Sequence, residues 1–281
     1  MRPNPAMRFA LLLSVLAFTA IPTAAFAFTF TLLDVPGSTS TEATGINARG
    51  VIVGSYNESA HGFRLQNGTY TTIDIPGAIT TELTGINGRR QIVGGFTQGG
   101  AFRGLLLDKK GVLTTIDFPG ATDTFAEGIN NRGDIVGFYG DGSTRHGFLL
   151  KGGSFTSIDV PGSTRTEANG INKRGQIVGD YRDSAGVFHG FLLDKGVFTP
   201  IDVPGAAHTL AIGTNNHGQI VGYWDDSGGT THGFLLSKGV FTTIDVPGAN
   251  DTLPFGINAH GQIVGLYTLV EGGVFHGFVA E

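Results

Sequence analysis

The chain has 281 residues, with 46 glycines, 21 phenylalanines and only 15% charged residues; this describes many short strands and tight turns around a sizeable core rather than long helices. Cysteine is absent, which excludes disulfides, thiolate metal sites and a cysteine nucleophile. The formal charge of −5 argues against a nucleic-acid partner, whose phosphates demand a concentrated basic face.

Residues 1–27 carry Arg2 and Arg8 and no acid, then an apolar run from Phe9 to Phe18, then Ala25-Phe26-Ala27. That order predicts a secretory signal peptide, because the apolar run is short for a span of roughly 20 residues. The expected mature chain, 28–281, is exported to the periplasm or beyond, with no membrane span of its own.

From Phe28 onward one unit recurs. Its anchor is Asp-x-Pro-Gly, at Asp34, Asp74, Asp117, Asp159, Asp202 and Asp245. Eleven residues after each anchor stands a glycine that opens Gly-Ile-Asn, with Gly213-Thr214-Asn215 the one variant. Five residues beyond each Asn comes Ile-Val-Gly, and later His-Gly-Phe at His61, His146, His189, His232 and His276, with Arg103-Gly104-Leu105 in the second unit. Asn-x-x-Gly before Ile-Val-Gly and Lys-Gly after His-Gly-Phe-Leu-Leu are hairpin signals, whereas Phe-Thr-x-Ile-Asp alternates faces and stops at a proline. Each unit is therefore predicted to hold four strands in about 43 residues, the size of a propeller blade.

The stretch from Asp-x-Pro-Gly to Gly-Ile-Asn alone lacks a hairpin signal, so it is taken as the link between blades. The sixth unit, ending at Glu281, then lacks an outer strand, and Phe28 to Asp34 is a spare strand of that type. The expectation is an all-β, six-bladed β-propeller closed by pairing of the N-terminal strand with the C-terminal blade, which leaves no free edge. A β-solenoid is the alternative; it accounts for the period but not for complementary half-units at the two ends.

The pattern Gly-Ile-Asn-x-x-Gly-x-Ile-Val-Gly, an aromatic, then His-Gly-Phe-Leu resembles the HAF-type extracellular repeat family, named for a His-Ala-Phe triplet, over about the whole mature chain. This sequence departs in placing Gly where the family has Ala and in losing the His at Arg103. The resemblance implies a secreted or surface location and supplies no catalytic residue and no ligand.

Positions filled identically in all units are read as scaffold: the anchor aspartates, the asparagines, the His-Gly-Phe histidines and the threonine four residues before each Gly-Ile-Asn. Variation falls on one face, where loops differ in length and binding sites are easily built. Candidate ligand residues there are Asp123, Arg165, Glu167, His208 and Asp251 around the mouth of the central channel, together with the loop aromatics Tyr139, Tyr181 and Trp224. Acidic loops carrying Asp141, Asp183 and Asp226 raise calcium as a candidate ion without the regular spacing of a dedicated site. The opposite face carries Arg49, Arg89, Arg132, Arg174, His217 and His260 at one turn position. The sequence-based function is a monomeric, non-enzymatic module binding a glycan or a protein; the alternative is a hydrolase or lyase acting on polysaccharide at the channel mouth.

Overall fold

A computed structural model describes residues 28–281; the signal-peptide expectation lies outside the described residues. The described residues form 24 strands, numbered β1 to β24 in order, in six four-stranded antiparallel sheets. The first blade shows the plan: β2 (Thr41–Ile46), β3 (Ile52–Tyr56), β4 (His61–Gln66) and β5 (Thr69–Ile73) pair in sequence order. The innermost strands of successive blades adjoin one another around the ring. This is a six-bladed propeller, and among the described residues no helix is long and apolar enough to cross a membrane.

Closure follows the predicted route. In the sixth sheet β22 (Asp251–Ile257), β23 (Ile263–Thr268) and β24 (His276–Ala280) are completed by β1 (Phe30–Leu33), with Phe30 opposite Ala280 and Leu33 opposite Gly277. Side chains confirm the equivalence. In the third to fifth blades an outer-strand Phe packs edge-on against the Phe of His-Gly-Phe at 5.4–5.5 Å; in the sixth Phe30 takes that place against Phe278, at 5.7 Å.

The core lies between blades. The Val of each Ile-Val-Gly (Val53, Val93, Val136, Val178, Val221, Val264) is fully buried, and so are Phe63, Phe148, Phe191, Phe234 and Phe278. Each cluster joins two units, as where Val264 of the sixth blade packs with Ala43, Ile46 and Phe63 of the first; one such buried side chain contributes about 1.5–3 kcal/mol. Inner strands meet backbone to backbone. A Cβ on Gly45 would come within 2.8 Å of the Thr84 carbonyl of the next blade, so the glycine of Gly-Ile-Asn is required by close approach.

Candidate functional site

The repeated polar residues lock this ring. Each Gly-Ile-Asn asparagine donates its Nδ2 to the backbone carbonyl of the next one, from Asn47 to Asn87, Asn130, Asn172, Asn215 and Asn258, and Asn258 returns to Asn47 at 3.2 Å. The repeated threonines accept the amide N–H after each anchor aspartate, as Thr41 does from Val35. Each histidine of His-Gly-Phe meets an anchor aspartate at 2.7–3.1 Å, and Arg103 does the same with Asp117 at 2.7 Å. These groups satisfy one another, and their pairing serves the scaffold.

Asymmetry begins at a bulge. Every inner strand skips one residue of register against its neighbour, just before the Gly-Ile-Asn glycine, leaving Thr44, Thr84, Glu127, Asn169, Ile212 and Phe255 unpaired in turn. The Ile-Val-Gly glycine makes this possible, because a Cβ at Gly137 would strike the Phe125 carbonyl. A bulge re-aims side chains, and all six bulged residues line the channel. One scaffold position thus presents five different kinds of side chain, threonine occurring twice.

At the variable-loop end the channel opens into a cavity of about 780 Å³. Its carboxyls come from Glu42, Glu82, Glu127, Glu167 and Asp123, and its rings from Phe102, Phe125, Phe138 and Phe255. Phe125 lies near-parallel to Phe138 at 5.5 Å (11°) and 5.6 Å from Phe102. It fits because Gly95 stands where the other blades carry a side chain; a Cβ there would collide with the ring. Arg145 covers Phe138, its guanidinium carbon 4.5 Å from the ring centroid, and its Nη1 is 2.8 Å from Glu167 Oε1. Arg165 reaches the same oxygen at 2.6 Å, so Glu167 is held between two guanidinium groups.

The other acids have no such partners. Burial, reinforced by the Glu167 charge, pushes the Glu127 carboxyl up to about 8; burial and then the Glu42 charge lift Glu82 to about 7. Glu42 is raised by burial, which its bond from Ser55 only partly offsets. Behind Glu167, Asp180 is 1% exposed and raised by burial and then by the Glu167 charge. Its Oδ1 accepts the Asn169 carboxamide at 2.9 Å, while its Oδ2 has no partner.

The structure divides the residues expected from sequence into three groups. Asp123 and Glu167 line the cavity, and Arg165 joins it through Glu167. His208 accepts the Phe188 amide at Nδ1 (3.1 Å), and Asp251 accepts the Thr231 amide and the Thr268 hydroxyl, so both are engaged in holding the link. Tyr139, Tyr181 and Trp224 stack on His146, His189 and His232 at centroid distances of 4.8–5.2 Å and do not line the cavity. Residues that sequence reasoning passed over are Glu127 at the bulge, Phe138 and Asp180 one place before the loop aromatics, and Phe102 and Arg145 one place before the His-Gly-Phe position. The signal was present as variation at otherwise regular slots next to the invariant triplets.

The acidic loops close on themselves. Oδ1 of Asp141, Asp183 and Asp226 each accepts two backbone amides of its own turn. Their Oδ2 atoms lie 3.4–3.7 Å from the histidines. Among the described residues no group of three or more His, Asp or Glu side chains is arranged to hold a metal ion.

No protein-family model matches the chain, and no curated protein matches it. Solved structures do. Virginiamycin B lyase from Staphylococcus aureus is 12% identical with a TM-score of 0.55, covering 91% of this chain and 100% of that one. A gluconolactonase from Xanthomonas campestris is 14% identical with a TM-score of 0.54, covering 86% of each chain. The lectin of Aleuria aurantia, in complex with Fucα1-6GlcNAc, is 11% identical with a TM-score of 0.52, covering 82% of this chain and 88% of that one. At these identities the likeness establishes the propeller fold, which carries lyase, lactonase and lectin activities alike.

Proposed function

We propose that this chain is an exported, non-catalytic propeller of the HAF-type repeat family that binds a glycan in the channel-mouth cavity. One observation carries the reading: a roughly 780 Å³ cavity sets the ring of Phe102, tilted against the stacked pair Phe125 and Phe138, beside the carboxyls of Asp123, Glu82 and Glu167. Sugar rings present apolar C–H faces and a belt of hydroxyls. Flat aromatic surface takes the first, and fixed carboxylates accept from the second. Arg145 and Arg165 hold Glu167 in one position, so its acceptor oxygens are oriented before the ligand arrives. The Aleuria aurantia lectin is a case of the same architecture holding a sugar.

A second reading is favoured by one feature. Glu127, neutral up to about pH 8, and Glu167, held between two arginines, are carboxyls in contrasting environments, the arrangement that separates a general acid from a base. Glycan-array binding followed by titration calorimetry separates the two. Phe125→Ala and Glu167→Gln are expected to weaken binding at least tenfold, and Trp224→Ala, away from the cavity, to leave it unchanged. Binding that survives the first two and is lost with Trp224→Ala would move the site to the loops. Turnover of a polysaccharide, abolished by Glu127→Gln, would establish the enzymatic reading instead.

A further inference from the structure

The end of the ring opposite the cavity is basic, although the chain as a whole is acidic. Two sets of hairpin turns from the blades share that end. The Asn-x-x-Gly turns cluster near the axis, as their asparagine ring requires, and the turns into the outer strands lie at the rim. The second set carries Lys109, Lys110, Lys151, Lys195 and Lys238. With Lys173 in an inner turn, these are all the lysines of the chain. Arg49, Arg89, Arg90, Arg132 and Arg174 join them from the inner turns.

Of the 23 acidic residues only Asp108, Asp134, Asp194 and Glu281 stand at this end. Each is already engaged: Asp108 by the Lys110 and Val112 amides, Asp134 by Asn130, Asp194 by Gln176 and Glu281 by Gln262. Among the described residues the arginines that form ion pairs are Arg103, Arg145 and Arg165, none of them here, and no lysine forms one. A depression of about 670 Å³ between the first two blades gathers Arg49, Arg89, Arg90 and Lys109.

A second observation indicates what these charges meet. Next to the rim lysines stand bare aliphatic side chains: Val112 after Lys109-Lys110-Gly111, Val197 after Lys195-Gly196 and Val240 after Lys238-Gly239, 59%, 65% and 61% exposed. Apolar tips beside lysines suit the boundary of a bilayer, where ammonium groups meet phosphates and small aliphatic groups enter the interface. A soluble polyanion would reward the charges and leave the valines in water.

We propose that this face docks the protein on an anionic phospholipid surface, with the cavity turned outward into solution. The site is separate from the channel mouth, and the inference stands whether or not the cavity binds glycan.

Co-sedimentation of the protein with mixed phosphatidylcholine–phosphatidylglycerol vesicles, against pure phosphatidylcholine vesicles, tests it. Binding to the mixed vesicles alone is expected, falling steeply as salt is raised. Each lysine replaced by Gln should cost about fivefold in partitioning, so Lys109→Gln/Lys110→Gln/Lys238→Gln together should lose about a hundredfold with the melting temperature unchanged. Val197→Ser/Val240→Ser should weaken the binding that persists at moderate salt. Asp226→Asn, on the opposite face, should have no effect. Equal binding to neutral vesicles, no binding to either, or binding to soluble heparin or DNA without vesicle binding would each overturn the proposal.

Discussion

His276 Nδ1 lies 3.1 Å from Asp34 Oδ1, and this contact spans 242 residues of chain where the equivalent pairs in the first, third, fourth and fifth blades span 13. It marks the seam at which one blade is assembled from both ends of the described chain. The partners are exposed, so the pair itself contributes little, about 0–1 kcal/mol. The strand that carries Asp34 contributes far more, because Leu33 and Phe30 join interblade clusters.

Removal of Phe28 to Asp34 should therefore lower stability by on the order of 5 kcal/mol, from the buried Leu33, the half-buried Phe30 and their ladder, whereas His276→Ala should cost less than about 1 kcal/mol. Urea unfolding of both variants checks this. Equal small losses would mean that the seam does not carry the ring.

Asn172 supplies its carboxamide to the Asn215 carbonyl and accepts the amides of Arg174 and Gln176. Asn172→Ala leaves these buried groups unpaired and should destabilise by about 3 kcal/mol. The half-buried Asn216, which accepts only the Lys173 amide, is the comparison: Asn216→Ala should cost less than about 1 kcal/mol. Thermal unfolding of the two variants reads the difference.

Arg90 occupies the turn position held by glycine in the other five units and is forced to φ 64°, beside values of 71–91° for Gly50, Gly133, Gly175, Gly218 and Gly261. A left-handed conformation costs a residue bearing a Cβ about 1–2 kcal/mol. Arg90→Gly should therefore stabilise the fold by roughly 1 kcal/mol, seen as a higher urea midpoint. A fall in stability would show that the guanidinium makes a compensating contact.

The carboxyls of Glu82 and Glu127 are raised in the folded chain to about 7 and about 8 from 4.5. Their protonated forms favour folding, an advantage full below pH 4.5 and lost as pH rises through 7 to 8. Melting temperature should thus decline from pH 5 to pH 9. Glu127→Gln, which keeps the neutral shape, should flatten that decline and stabilise the protein at pH 9 by roughly 2 kcal/mol. A profile unaltered by the substitution would mean that Glu127 is solvated through the channel.

The architecture was legible because it is written six times: invariant spacing located the hairpins, and the complementarity between the spare strand Phe28–Asp34 and the sixth unit, ending at Glu281, located the closure. The candidate site was legible only in part. Asp123 and Glu167 were reached from variation in the links, but Glu127 was hidden by a bulge, which turns a side chain that simple alternation would send elsewhere. Tyr139, Tyr181 and Trp224 look like ligand rings in sequence, and only the fold shows histidines already stacked on them. Net charge misled in another way, since a sum of −5 conceals two ends of opposite sign.

The asparagine ring also has a consequence for chains that are not whole. Each carboxamide serves the blade ahead and each carbonyl waits for the blade behind, so an array cut anywhere ends with one unanswered donor and one unanswered acceptor, flanked by bare inner strands. Fragments of this protein, whether nascent or clipped, should be adhesive towards each other in a way that the finished molecule is not.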